Sequence, residues 1–263
     1  MGPSIEVTFS ASGVATTFVG IRATNGATLN LGGDETKNIN VSVSENAPAS
    51  VSSSPIAIGI DAINLDGQNP RPPELFVSAE NLVVNVHSED GAAYGIHVGN
   101  RTDKGSADKK ATLVINAKNT LINATSGREG GSHGIVALSE GQLAINGNLE
   151  VNSENVITAR GDAVIRINES GENKVVLNGN IDFNYDKNSS KTKVDADVLV
   201  NLTGAESQWN GNASVSWDKI SKDDKEKLLK VSGLRVVLAD KAQWNPTIIT
   251  RSEEENSGIT RSE

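Results

Sequence analysis

The sequence predicts an all-β chain, wound as a right-handed, single-stranded parallel β-helix with about three short strands per rung. Two observations carry that prediction: a fixed internal repeat, and short strands of strictly alternating polarity. A third supports it. Only 3% of the residues are aromatic, so the core must be built in regular layers of Val, Ile, Leu and Ala.

The repeat is readable directly. INGNLEVN (145–152), LNGNIDFN (177–184) and WNGNASVS (209–216) place Asn146, Asn178 and Asn210 at intervals of 32 and 32. In the N-terminal half, Gly20-Ile21, Gly59-Ile60, Gly95-Ile96 and Gly134-Ile135 recur at intervals of 39, 36 and 39. Each is followed by alternating segments, such as ELFVS (74–78) with NLVVNVHS (81–88), and ATLVINA (111–117) with TLINATS (120–126). AVIRIN (163–168) and DVLVNL (197–202) are expected to take the Gly-Ile place in later copies. LRVVLAD (234–240) begins a last, partial copy. The count is about seven rungs, or roughly 30 Å of stalk at a strand spacing of ~4.8 Å.

Alternation means one buried face per strand. Three such strands cannot bury their faces alone, so stacked copies must create the core. The expected inward residues are Leu143, Ile145, Leu149, Val151, Val175, Leu177, Ile181 and Phe183, then Trp209, Ala213 and Val215. Asn and Gly suit sharp corners because both tolerate the left-handed backbone. Stacked Asn side chains also bond to one another along the axis. An antiparallel sandwich or a propeller would use similar strands. The fixed period and the rarity of two-residue hairpin turns favour the helix.

Residues 1–15 read as an N-terminal cloning scar and capping segment, 16–247 as the β-helix, and 248–263 as a disordered polar tail. Extra residues should lie in corner loops at 66–74, 100–110, 126–133 and 186–195. SKDDKEKLLKVSG (221–233) breaks the alternation and reads as a short helical insertion near 221–232, capped by Ser221.

The net charge of −9 argues against a nucleic-acid partner and against an anionic membrane surface. No apolar run has the length of a membrane span, so no membrane insertion of this fragment is expected. There is no cysteine, which removes disulfides, thiolate metal sites and Cys nucleophiles. A thiol-free chain also suits passage through an oxidising compartment in an unfolded state.

The Gly-Ile strand starts, the INGNLEVN-type units, NLTGAESQWNGNASVSW (201–217) and VVLADKAQWNPT (236–247) resemble the passenger region of bacterial autotransporters, the pertactin-like and diffuse-adherence adhesin-like group. The likeness covers about residues 16–247, and its motifs are degenerate. It implies an extracellular stalk on a bacterial surface, tethered to the outer membrane through a translocator barrel outside these residues. It also implies self-association with identical stalks, biofilm formation, or attachment to a host surface protein or glycan. Protease (GDSGS) and lipase (GDSL) motifs of the minority members are absent from the sequence.

The candidate sites are few. Arg160-Gly161-Asp162 is an RGD tripeptide, the candidate binding site. In integrin ligands its Asp meets a metal and its Arg an acidic groove, but all three residue types also simply favour turns. His87, His97 and His133 are too scattered for a metal cluster, and neither a metal nor a cofactor is expected. SHG (132–134) only faintly echoes the polygalacturonase GHG and lacks the paired carboxylates of polysaccharide lyases and hydrolases, so no catalytic residue is assigned. Trp209, Trp217 and Trp244 have an inward phase that suits packing of the last rungs better than a glycan platform. The sequons at Asn40, Asn123 and Asn201 read as corner asparagines. The expected function is therefore a non-enzymatic adhesin stalk; a lyase or hydrolase of the pectate-lyase-like class, or a passive spacer, is the alternative.

Overall fold

The computed structural model describes residues 2–12, 16–46, 55–65, 71–100, 110–160, 162–184, 197–216 and 233–246. The described chain is all-β: seventeen strands hydrogen-bonded into one sheet, with every pairing between them parallel. An antiparallel sandwich is thereby excluded.

The pairings sort into three ladders. The first begins with β1 (Ser4–Ala11), β4 (Asn38–Glu45) and the second halves of β6 (Glu74–Ser88) and β8 (Thr112–Ser126). It continues through the middle of β10 (Gln142–Arg160), the start of β12 (Val175–Asn184), β14 (Gln208–Asn210) and β17 (Gln243–Asn245). The second ladder carries the Gly-Ile pairs in β2 (Thr17–Thr24), β5 (Ile56–Asn64), β7 (Ala92–Asn100) and β9 (Ser132–Ala137). The third runs from β3 (Thr28–Gly32) through the first halves of β6, β8 and β10 to β11 (Val164–Ile167), β13 (Asp197–Thr203) and β16 (Gly233–Ala239). The chain visits the ladders in the order first, second, third, and then repeats.

Two expectations about register are corrected here. AVIRIN and DVLVNL do not take the Gly-Ile place: β11 and β13 lie on the third ladder, beside the start of β10. The Gly-Ile ladder continues instead through Asn155–Arg160, then residues 180–184 of β12, then β15 (Ala213–Ser216). The three Asn-Gly-Asn units are also not equivalent. Asn178 and Asn210 pair with each other on the first ladder, whereas Asn146 pairs with Asn116 on the third. The motif marks a corner, and two different corners use it. Ser4–Ala11 is a strand in full register with β4, so the paired structure starts earlier than residue 16.

Alternation sets the core as expected. Leu143, Ile145, Leu149, Val151, Val175, Leu177, Ile181, Phe183 and Trp209 are buried, and Ala213 and Val215 are half-buried against them. Equivalent residues stack in register, as in Val41–Val84–Ile122–Val151–Leu177–Trp209. Each such aliphatic side chain withdrawn from water contributes ~1.5–3 kcal/mol.

The Gly-Ile repeat has a steric cause. A Cβ on Gly59 would lie 2.4 Å from Val84 Cγ1 and 2.7 Å from the Gly95 carbonyl oxygen. On Gly134 it would lie 2.2 Å from Val151 Cγ1. The second ladder passes so close to the inward side chains of the first that no side chain fits at this position.

The aliphatic rule is broken at the end of β4 and β6, where buried Ser88 Oγ donates to buried Glu45 at 2.7 Å, and again within the row at Thr120. Thr120 stacks between Leu82 and Leu149, is 3% exposed, and among the described residues its Oγ1 has no hydrogen-bond partner. A buried hydroxyl without a partner is costly, and valine has nearly the same shape. Thr120→Val should raise the urea midpoint by an amount worth about 1 kcal/mol. A lower midpoint would show that the hydroxyl is satisfied in solution.

The proposed helix at 221–232 and the tail at 248–263 lie outside the described residues, as do Trp217 and most of the loops at 66–74, 100–110 and 186–195. The loop at 126–133 is described: it turns through Gly131 N–H to Arg128 carbonyl at 3.0 Å, tied down by Gly127 N–H to Ser88 carbonyl.

Candidate adhesive face

The outward residues of the first ladder form a largely polar face. Strand alternation turns Asn81, Val83, Asn85 and His87 of β6 outward, and Asn119, Leu121, Asn123 and Thr125 of β8 beside them. In-register parallel pairing then brings like residues together, and two continuous rows of amides result.

In one row each amide donates to its neighbour nearer the N-terminal end. Asn38 Nδ2 donates to Ser4 Oγ at 3.2 Å, Asn81 to Asn38 Oδ1 at 3.1 Å, Asn119 to Asn81 at 2.9 Å and Asn148 to Asn119 at 3.0 Å. The Lys174 backbone N–H closes the row on Asn148 Oδ1 at 3.0 Å. The other row is Asn85, Asn123, Asn152, Asn178, Asn210 and Asn245, with each link between 2.7 and 2.9 Å. All these dipoles point the same way, an arrangement in which successive hydrogen bonds polarise one another.

A carboxamide has two N–H donors and two acceptor lone pairs. The ladder uses one of each, and it fixes the orientation of the rest at a repeat of ~4.8 Å along the axis. Between the two rows runs a strip in register: Asn40, Val83, Leu121, Glu150, Val176 and Gln208. A shallow groove follows it, lined by Val83, Leu121 and Val176 with Asn81, Asn119 and Asn148 on its side. At the adjoining corner Lys37 pairs with Glu80. That hydrogen bond and the Lys37 charge, with a smaller contribution from Lys118, hold the Glu80 carboxyl below its ordinary range.

The Gly-Ile ladder carries a second polar group. Buried Asp61 accepts from Arg22 Nε at 2.6 Å and faces His97 Nδ1 at 2.8 Å. The ring of Tyr94 stacks on His97 at 5.9 Å and meets His133 edge-on at 5.2 Å. Burial pushes the Tyr94 hydroxyl above its ordinary pKa and the His133 imidazole below its own, with Arg160 adding to the latter. His133 Nδ1 lies 2.9 Å from Thr158 Oγ1, and His87 Nδ1 lies 3.0 Å from Thr125 Oγ1. The three histidines therefore serve three different contacts. Among the described residues no group of His, Asp and Glu has the arrangement of a metal site. This Arg22–Asp61–His97 group, with Asp61 and His97 buried beneath the exposed Arg22, escaped the sequence reading. Its signal was present, because each residue directly follows an Ile of the Gly-Ile repeat.

Of the RGD tripeptide, Arg160 ends β10 exposed and Gly161 lies outside the described residues. Asp162 is half-buried, and its Oδ1 accepts the Glu140 backbone N–H at 2.9 Å. Trp209 and Trp244 stack at 5.1 Å, Trp209 fully buried and Trp244 half-buried. Among the described residues no helix is long and apolar enough to cross a membrane.

No protein-family model, curated protein or solved structure matches the chain.

Proposed function

We propose that the chain is a right-handed parallel β-helix serving as the non-enzymatic adhesive stalk of an autotransporter passenger, held outside a bacterial cell and self-associating with identical stalks. The observation that carries this reading is the pair of amide rows along one lateral face. The exclusively parallel pairing and the cyclic visiting order of the ladders support a coil in which each circuit rests on the last. An array of oriented amides flanking a strip that mixes Val83, Leu121 and Val176 with Asn40, Glu150 and Gln208 is self-complementary, because every carboxamide is both donor and acceptor. Each contact is weak, and many engaged together hold cells by avidity.

The test places charge on the face without touching the core. Asn119→Asp combined with Asn123→Asp puts like charges opposite one another when identical faces meet. Cells displaying this variant should remain in suspension under conditions where cells displaying the parent settle. Purified variant should sediment as monomer, with an unchanged circular-dichroism spectrum. Settling and sedimentation identical to the parent, with the fold intact, would remove this face from the function.

A further inference from the structure

Four Asn-Gly dipeptides occur, at Asn25, Asn146, Asn178 and Asn210. An asparagine before glycine is chemically labile, because glycine has no Cβ to keep its backbone nitrogen from the preceding side-chain carbonyl carbon. We infer that Asn146 is a site of spontaneous deamidation, and that the ladder contacts protect Asn178 and Asn210.

The reaction needs only water. The Gly147 backbone nitrogen attacks Asn146 Cγ, forming the new C–N bond of a five-membered succinimide. The Cγ–Nδ2 bond breaks, and Nδ2 leaves as ammonia with the proton that the Gly147 nitrogen gives up. Water then adds to either imide carbonyl, yielding aspartate or isoaspartate at position 146. No electron is gained or lost.

Attack requires the carboxamide to swing away from its ladder and the glycine to rotate towards it. Two locks oppose this at Asn178 and Asn210. Their amides are held at both ends: Asn178 donates to Asn152 at 2.7 Å and accepts from Asn210 at 2.7 Å, and Asn210 in turn accepts from Asn245 at 2.8 Å. Their glycines are held by indoles: Trp209 Nε1 donates to the Gly179 carbonyl at 2.9 Å, and Trp244 Nε1 to the Gly211 carbonyl at 2.9 Å.

Asn146 has neither lock. It is exposed and makes one ladder bond, donating to Asn116 Oδ1 at 2.8 Å. Among the described residues nothing donates to its Oδ1, and the two described indoles are engaged at Gly179 and Gly211. Gly147 sits where the register between β10 and β8 shifts, with φ at +100°. Asn25 lies in the turn between β2 and β3 and carries its own tie, Leu65 N–H to Asn25 Oδ1 at 2.9 Å. An aspartate at 146 would have no donor for Asn116 and would add a negative charge to the third ladder's surface.

The experiment compares rates within one chain. The folded protein and the same protein in denaturant are incubated at mildly alkaline pH, digested at low pH, and read by mass spectrometry with fragmentation to locate each amide-to-acid change. In denaturant, positions 146, 178 and 210 should convert at similar rates. In the folded protein Asn146 should convert about tenfold or more faster than Asn178 and Asn210, the factor set by two extra contacts per site that must open first. Equal rates at the three positions in the folded protein would overturn the inference, as would an Asn146 that persists while the denatured chain loses its amide.

Discussion

Gly95→Ala is expected to destabilise the protein by ~3 kcal/mol or more, read as a drop in the urea midpoint of the region around it. A Cβ at this position would sit 2.3 Å from Ile122 Cγ2 and 2.6 Å from the Gly134 carbonyl oxygen. Neither neighbour has room to retreat. Ile122 is fully buried and stacked between Val84 and Val151, and the Gly134 oxygen belongs to the backbone of the next strand in the ladder. No positive φ is involved at Gly95, so the effect is one of packing rather than backbone strain. Gly233→Ala is the matched control: among the described residues no atom beyond its chain neighbours lies within 4 Å of its Cβ position, and φ is not in the left-handed region. There the loss of unfolded-state freedom should leave stability unchanged or raised by ~0.5 kcal/mol. If both substitutions behave alike, the steric account of the Gly-Ile repeat is wrong. Stability in a stack of repeats is mostly a nearest-neighbour property, so the damage should centre on the repeats that touch position 95.

Trp209→Ala should cost ~3–5 kcal/mol. The side chain is fully buried, continues the aliphatic row above Leu177, and stacks on Trp244 at 5.1 Å with the rings 8° from parallel. Its indole also holds the Gly179 carbonyl at 2.9 Å, which would lose its donor. Trp209→Phe separates the two contributions. It keeps an apolar ring against Trp244 and drops only the hydrogen bond and some volume, so its cost should be well below that of the alanine. Urea titration followed by circular dichroism gives both values. A Phe variant as unstable as the Ala variant would assign the stabilisation to the hydrogen bond instead of the ring.

The two substitutions probe different parts of what a reader of the sequence can see. Alternation along a strand is a local property, and burial of every second residue follows from it. That is why the inward set from Leu143 to Phe183 was legible without coordinates. The Gly-Ile recurrence was legible as well, although its cause, the near approach of Val84, Ile122 and Val151, was not. Register between strands is a different matter. Asn146, Asn178 and Asn210 share a motif and an equal spacing, yet Asn146 belongs to another ladder, because corners of two kinds can use the same residues. AVIRIN and DVLVNL alternate like the Gly-Ile strands, and their alternation carries no label for the ladder they join.

The composition and periodicity of this chain determined by themselves that it is all-β, that its strands are short and half-buried, and that aliphatic layers fill its interior. Tertiary structure alone decided which asparagines touch. A hydrogen bond between Asn85 and Asn123, or a buried Asp61 between Arg22 and His97, joins residues 36 to 39 positions apart. One inserted residue in the intervening loop leaves each strand's pattern intact while moving the partner to the opposite face of the sheet. Which polar residues meet, and hence what the surface offers a partner, is therefore set by the pairing of whole strands and not by any one of them.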